Sequence, residues 1–557
     1  MTGAVLPQRV RSRLFAGVLG AAILIGTWLR LEQIAIQVLI DDEWHAVHQL
    51  LVHTPREMLV DFGYADYSIP LGILDWYQAQ VWGLSELTLR WPMIACGLAT
   101  LVVFPLYVAP RLGRATAAVF ALLLAISPLL VIFTRMARPY AITLLLGWIA
   151  HAAYQRYHIA LHGQRWAFAT YAIAAALTTW LHPVAGAFAA APLLWGLAQL
   201  RHTVPARRRA VFFRWLQLAA VTGALTAALV LPPLLGHPAS LSAKGGVDGP
   251  GVQTLIGVWY AWLGTPSTAT VVLCVALAAY GAPVVWRALP VARTGALGVL
   301  LTLLLVAATG IMWSHLPVTV ARYLLPFVPL LLLCVAAGAV RLAERVVVPP
   351  TQSQRALAIF VMALPVALLA AQTPLARLWR HPNAQTQHLV NYIDFRPENN
   401  PYLPQFEATP LSPFWAGLSA RPAGSVRIAA APFYFESYDW DAPRWERLSV
   451  QTVVPGYLTG LCVERRYGEL PRDPRYRFAN AVHLADGDAL QAHHIDYVAW
   501  QKPYVRVSKG RSEAIGAETA ACESVLRKTF GAPVFEDSHI IVFPIPHRNQ
   551  VAPNAPR

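Results

Sequence analysis

Charge is what this sequence has least of. Only 13% of its 557 residues are Asp, Glu, Lys or Arg while 56% are hydrophobic, which excludes a soluble globular chain of ordinary composition. Lysine is nearly absent, and no Lys/Arg run is interleaved with aromatics, so the formal charge of +15 does not point to nucleic acid. Cysteine is scarce too. The five, at 96, 274, 334, 462 and 522, form no CxxC and no Cys/His cluster at zinc spacing, which argues against a thiol–metal site. The first three fall in apolar runs and read as core residues. Cys462 and Cys522 share the C-terminal region and could be bridged if that region is extracytoplasmic. No Walker or dinucleotide glycine spacing occurs, and no internal repeat or low-complexity tract stands out.

What the chain has instead is long hydrophobic runs. Stretches of about 17 to 22 residues, enough for a helix to cross about 30 Å of hydrocarbon, recur through the first two thirds. They predict about eleven spans, near 14–31, 88–109, 115–134, 140–155, 167–181, 183–200, 215–235, 267–286, 295–313, 323–340 and 356–373. Nineteen Trp and twenty Tyr suit many membrane–water boundaries. Arginine sets the orientation, because positively charged loops stay cytoplasmic. With the N-terminus inside, about seventeen basic residues fall in inner loops and about seven in outer ones. The first loop, 32–87, then faces outward, and an odd number of spans puts the tail outside as well. The N-terminal span lacks a small-x-small cleavage site and reads as a retained helix. From about residue 376 the chain turns polar and Pro-rich, then alternates short apolar runs such as HIIVFPI with helical segments such as GAETAACESVLRKTF. The expected fold is a polytopic α-helical membrane domain over 1–375, followed by a soluble extracytoplasmic α/β domain over 376–557.

Residues suited to chemistry gather on the outer side of this map. Asp41, Asp42 and Glu43 follow the first span, with His45 and His48 just beyond. Asp61 precedes FGYADYSIPLG and Asp66 lies within it, Arg135, Arg138 and Tyr140 occupy TRMARPYA, and His182 stands in WLHPV. Lys244 and Asp248 lie in a Gly-rich loop, and His315, Arg322 and Tyr323 in WSHLPVTVARYLLP. Ionisable groups at membrane depth serve a site or pair with one another. Guanidinium groups at the interface bind phosphate oxygens in pairs, and a nearby carboxylate takes a proton from an incoming hydroxyl. Each has a plainer reading: Asp41 as a helix cap, Asp66 as turn chemistry before Pro70, Arg138 and Arg322 as snorkelling side chains, His182 as a helix end satisfied by backbone.

An acidic pair after the first helix, a second acidic and Pro-containing stretch ending in ELTLRWP, then ISPLLVIFTRMARPYA, a helix-end His and ARYLLPFVPLLLL resemble the GT-C superfamily. Within it the pattern, spanning 14 to about 341, is most similar to the protein O-mannosyltransferase and lipid A aminoarabinose transferase group. The resemblance implies a membrane glycosyltransferase that moves a sugar, with inversion, from a polyprenyl-phosphate donor to an extracytoplasmic acceptor hydroxyl on a glycan, lipid or protein. It implies Asp42 as the catalytic acid with Glu43 beside it, and Arg138 and Tyr140 as the R-x-Y of the second outer loop. Many relatives carry a His-Pro-Pro-Leu type sequence where this chain reads DYSIPLG, so Asp66 stands in as the second acid. Arg322, Tyr323, His182 and Lys244 complete the expected substrate contacts. Some members use a divalent metal near their acids, which makes Asp42 and Glu43 the candidate ligands here. No nucleotide or nucleic acid is expected. The bacterial inner membrane is the expected location, with the tail in the periplasm. A transporter or flippase of a lipid-linked or anionic substrate is the alternative, against which stand the few charges at mid-depth.

Overall fold

The computed structural model describes residues 8–32, 34, 43, 49–50, 53–62, 68–83, 86–159, 164–242, 244–246, 249–346, 351–372, 411–431, 442–454, 487–492, 494–508, 511–515 and 522–545. Every stretch read as a span is helical, including Gln8–Leu31, Glu86–Leu112, Tyr140–Ile159, Thr268–Ala288, Pro290–Thr309 and Phe327–Val346. The chain is a polytopic helical membrane protein. Among the described residues seven helices are long and apolar enough to cross a bilayer, or eight if one bent pair is a single span. That is fewer than the eleven the apolar runs suggested. Arg165–Leu181 and Ala185–Gln199 have 17 and 15 residues, at and below the lower end of the length a span takes. Tyr140–Ile159 has the length but ends in the polar run YQRYHI. The first loop is also less of a loop than expected, since it holds the helix Ile69–Trp82.

Phe327–Val346 is the hub, with fourteen of its 20 residues buried. It meets Thr268–Ala288 backbone to backbone. A Cβ placed on Gly281 would lie 2.1 Å from the Cys334 carbonyl oxygen, and one on Gly338 would lie 2.0 Å from that of Leu277. With lipid tails as apolar as leucine, such close approach is what drives helices together in a membrane. The long helix Pro205–Gly236 is peripheral, burying only Leu218, Thr222 and Pro233.

The bent pair is Arg114–Ile126 and Pro128–Arg135, at 54°. Pro128 causes the break, because it lacks an N–H and pushes Ser127 into extended backbone (φ −65°, ψ 113°). In an unbroken helix, the amides of residues 128 and 129 would serve the carbonyls of Leu124 and Ala125. The fully buried Arg30 serves them instead, through Nη2 to Leu124 O (3.3 Å) and Nη1 to Ala125 O (3.2 Å). Arg135, at the end of the bent pair, returns the arrangement by donating to the carbonyls of Leu29 (3.3 Å) and Arg30 (3.0 Å) at the close of the first helix. Arg30 thus caps the first half of the bent pair and Arg135 caps the helix that carries Arg30, each at a C-terminal end where helices have unsatisfied carbonyls and partial negative charge.

The C-terminal region carries a five-stranded sheet in the order β2-β1-β3-β7-β6, built from β1 (Arg427–Ala431), β2 (Thr452–Val454), β3 (Tyr497–Gln501), β6 (Phe535–Glu536) and β7 (Ile540–Pro544). β1 pairs in parallel with β2 and β3, and β7 runs antiparallel to β3 and β6. The buried runs of β1, β3 and β7 explain the apolar stretches in the tail. Tyr504–Ser508 and Arg511–Ile515 form a separate hairpin. Cys522 is disulfide-bonded, whereas Cys96, Cys274 and Cys334 are free. The expected partner, Cys462, lies outside the described residues, as does the expected boundary near 376.

Arg30→Met should leave two carbonyls unsatisfied in an apolar interior and destabilise the protein by about 2–6 kcal/mol, at 1–3 kcal/mol for each orphaned group. Thermal unfolding of purified protein in detergent measures this; an unchanged Tm would mean that another donor takes over the break.

Candidate functional site

The acidic segment after the first helix is tied down by one ion pair. Glu43 and Arg90 are both fully buried, and they meet as a fork, with Arg90 Nε to Glu43 Oε1 at 2.8 Å and Nη2 to Oε2 at 2.7 Å. The third arm, Nη1, donates to the Ile34 carbonyl at 3.1 Å. Glu43 Oε1 also accepts the amide N–H of Ala137 at 2.8 Å. So the start of Glu86–Leu112 holds both Ile34 and Glu43, and Glu43 in turn holds the turn between Pro128–Arg135 and Tyr140–Ile159. Sequence reading placed Arg90 on a loop and gave it no role; the tryptophan and proline after it in LRWP look like an interfacial anchor.

The gripped turn carries two expected substrate contacts. Arg138 donates its amide to Met136 O (2.8 Å), and Pro139 O receives the Thr143 amide (2.8 Å) as the next helix begins. The residue before a proline favours extended backbone, so the turn ends at Arg138. Tyr140 follows, buried against Phe133 with ring centroids 4.8 Å apart. His182 arrives from Arg165–Leu181, whose last turn is cut by Pro183; its φ of −155° is the extended value such a residue takes. Tyr140 and His182 rings stand 5.4 Å apart, and His182 and Tyr323 rings 5.5 Å apart. Arg322, on the short helix Pro317–Tyr323, places its guanidinium carbon 5.9 Å from the Tyr140 ring centroid and 5.2 Å from that of Tyr323. Four expected residues from three separate segments therefore form one cationic, aromatic-walled cluster. Its rings hold the guanidinium by cation–π attraction and screen it from lipid.

The approach to Arg322 is braced by another helix. Thr254 Oγ1, on Val252–Leu263, donates to His315 O at 2.6 Å, across a turn where Trp313 adopts a left-handed φ of 66°. Lys244 sits on the other side of this turn, where its carbonyl accepts the Met312 amide at 2.8 Å. Asp75 is a further acid that sequence reading passed over. It is fully buried on Ile69–Trp82, a helix that shares one apolar cluster with Leu89, Ala137, Ala141 and Leu181. A lone acid in LGILDWYQAQ was the available signal, but the stretch reads as part of a loop. Asp42 and Asp66 lie outside the described residues, as do Asp41, His45, His48 and Asp248.

Arg138 and Arg322 bring guanidinium groups to this end of the bundle, where Glu43 and Asp75 are the buried acids among the described residues. No group of three or more His, Cys, Asp or Glu side chains among the described residues could hold a metal ion. Glu43 fits a metal poorly, since both of its oxygens already face a guanidinium.

Removing one partner of this pair strands a buried charge, so Glu43→Leu or Arg90→Met alone should destabilise by about 3–5 kcal/mol. The double variant should recover most of that loss. Detergent-phase Tm values of the two single variants and the double variant test the coupling, and additive effects would show that the pair does not act as a unit.

The sequence matches no protein-family model, and no curated protein matches it. Solved structures are similar at low identity. ArnT from Cupriavidus metallidurans bound to undecaprenyl phosphate is 13% identical with a TM-score of 0.43, over 96% of this chain and 98% of that one. The arabinofuranosyltransferase AftD from Mycobacteria is 14% identical with a TM-score of 0.43, and this chain, 98% covered, spans 40% of it. The Archaeoglobus fulgidus oligosaccharyltransferase in the apo form is 12% identical with a TM-score of 0.40, over 87% of this chain and 69% of that one. All three are GT-C superfamily membrane glycosyltransferases, the group the sequence motifs resemble.

Proposed function

We propose that the protein is an inverting glycosyltransferase that takes a sugar from a polyprenyl-phosphate donor and gives it to an acceptor hydroxyl on the far side of the membrane. The observation that carries this reading is the Tyr140–His182–Arg322–Tyr323 cluster, held beside the turn that Glu43 anchors. It brings the Arg322 guanidinium and three aromatic rings together, which supports a phosphate-binding reading. The donor class rests on the ordered motifs of the sequence.

In this reading Arg138 and Arg322 hold the donor phosphate, and Tyr140, His182 and Tyr323 wall the sugar; Lys244 reaches the same phosphate from its loop. The acceptor oxygen attacks the anomeric carbon as the bond from that carbon to the phosphate oxygen breaks. The lipid phosphate leaves with the electron pair, and the hydroxyl proton passes to Asp42 or Asp66. One displacement inverts the anomeric centre. Glu43, with its oxygens engaged by Arg90 and the Ala137 amide, places the acidic segment rather than taking the proton. Cytoplasmic arginine-rich loops and a periplasmic tail agree with the bonded state of Cys522, since disulfides persist in oxidising compartments. The tail, a separate domain after residue 375, would select the acceptor.

A transfer assay in nanodiscs tests this, with a panel of polyprenyl-phosphate sugars and an envelope extract as acceptor. Asp42→Asn should lower kcat by roughly 10²–10⁴-fold with the fold intact, as loss of a general base does. Arg322→Ala should lower kcat/KM by roughly 10–100-fold, the worth of a charged hydrogen bond to the donor. Full turnover in both Asp42→Asn and Asp66→Asn would remove the proposed base.

A further inference from the structure

The bundle also holds an apolar cavity of about 100 Å³, walled by Val103, Phe104, Tyr107, Trp148, Ala152 and Ala292 among others. Tyr107 lies 17 residues along its helix from Arg90, or about 25 Å at the helical rise. The lining is almost wholly carbon. A water molecule there would find no polar partners, so the space stays dry unless an apolar group enters it. Entry is from the side, because the Val103 wall is 45% exposed on the lipid-facing surface.

The rim is of opposite character. The Arg111 guanidinium carbon lies 3.9 Å from the Tyr107 ring centroid, while its Nη1 donates to the Tyr107 carbonyl. Arg156 projects one helical turn beyond Ala152, 5.4 Å from the Trp166 ring. Both arginines act electrostatically on the Tyr107 hydroxyl. Both are exposed, and among the described residues neither has a carboxylate partner. Trp166 and Trp286 are half exposed near the same end, as aromatic side chains are at the headgroup level. A dry side-opening slot beneath two unneutralised guanidinium groups complements an amphiphile with an anionic head, and basic pockets between membrane helices hold such lipids.

We propose that an anionic phospholipid of this leaflet is bound here, with part of one acyl chain in the cavity and its phosphate between Arg111 and Arg156. The proposal does not rest on the transfer reaction, and among the described residues neither of its cations is paired with an acid, unlike Arg90.

Native mass spectrometry of the delipidated full-length protein tests it, with palmitoyl-oleoyl phosphatidylglycerol and the phosphatidylcholine of the same chains as probes. Wild type should retain one phosphatidylglycerol per chain in preference to phosphatidylcholine by roughly tenfold or more. Arg111→Gln with Arg156→Gln should abolish the preference while leaving retention of both lipids equal and weak. Ala152→Leu and Ala292→Leu, which fill the slot from two different helices, should each lose the bound lipid; two fillers guard against one that misfolds. Equal retention of both lipids by wild type would overturn the proposal, as would an undiminished preference in the arginine variant. Displacement of phosphatidylglycerol by undecaprenyl phosphate at equal concentration would overturn it too, by giving the cavity to a donor-type lipid.

Discussion

The buried pair between Glu43 and Arg90 is the constraint on which the candidate site depends. Taking two charges out of water costs several kcal/mol each, and the pair is held in the interior only because nearly every arm is engaged. The planar guanidinium gives two donors to one carboxylate and a third to the Ile34 carbonyl, a geometry that lysine cannot copy. The carboxylate then hands the constraint on through the Ala137 amide. A segment after the first helix, the start of a second helix and the turn before a third are fixed to one another by two side chains.

Arginine plays a second part in the same region. Arg30 and Arg135 are spent on carbonyls, Arg30 closing the first half of the bent pair and Arg135 the helix that carries Arg30. Hydrocarbon offers no water to these groups, so a side chain long enough to bring several N–H donors across a helix contact replaces solvent. The 54° bend at Pro128 is tolerated for this reason. The bend aims Pro128–Arg135 so that its end delivers the Ala137 amide to Glu43. Backbone chemistry at a proline and charge chemistry at the site are therefore the same piece of architecture.

Much of this was legible in the sequence, and the rest was hidden for identifiable reasons. Hydrophobic runs located the helices, because period and length survive without tertiary context. The count of eleven is not confirmed among the described residues, where Arg165–Leu181 and Ala185–Gln199 are apolar but have 17 and 15 residues. Tyr140, His182, Arg322 and Tyr323 were found because each stands at a helix end marked by proline, or beside one that is. Arg90 was not, since its partner lies 47 residues away and one sequence does not show who meets whom. A snorkelling arginine and a fully buried one look alike on paper. Asp75 was hidden by its setting, a short helix inside what composition describes as a loop.

The mutual capping of Arg30 and Arg135 also bears on how the chain is built into its membrane. The first helix ends in a guanidinium whose acceptors, Leu124 and Ala125, belong to a helix made about a hundred residues later. Until that helix arrives, the guanidinium has only the Gly26 carbonyl of its own helix to donate to, and it stays near the headgroups. The first helix therefore reaches its native depth and rotation only as the bent pair docks against it, and the two settle together as one insertion event.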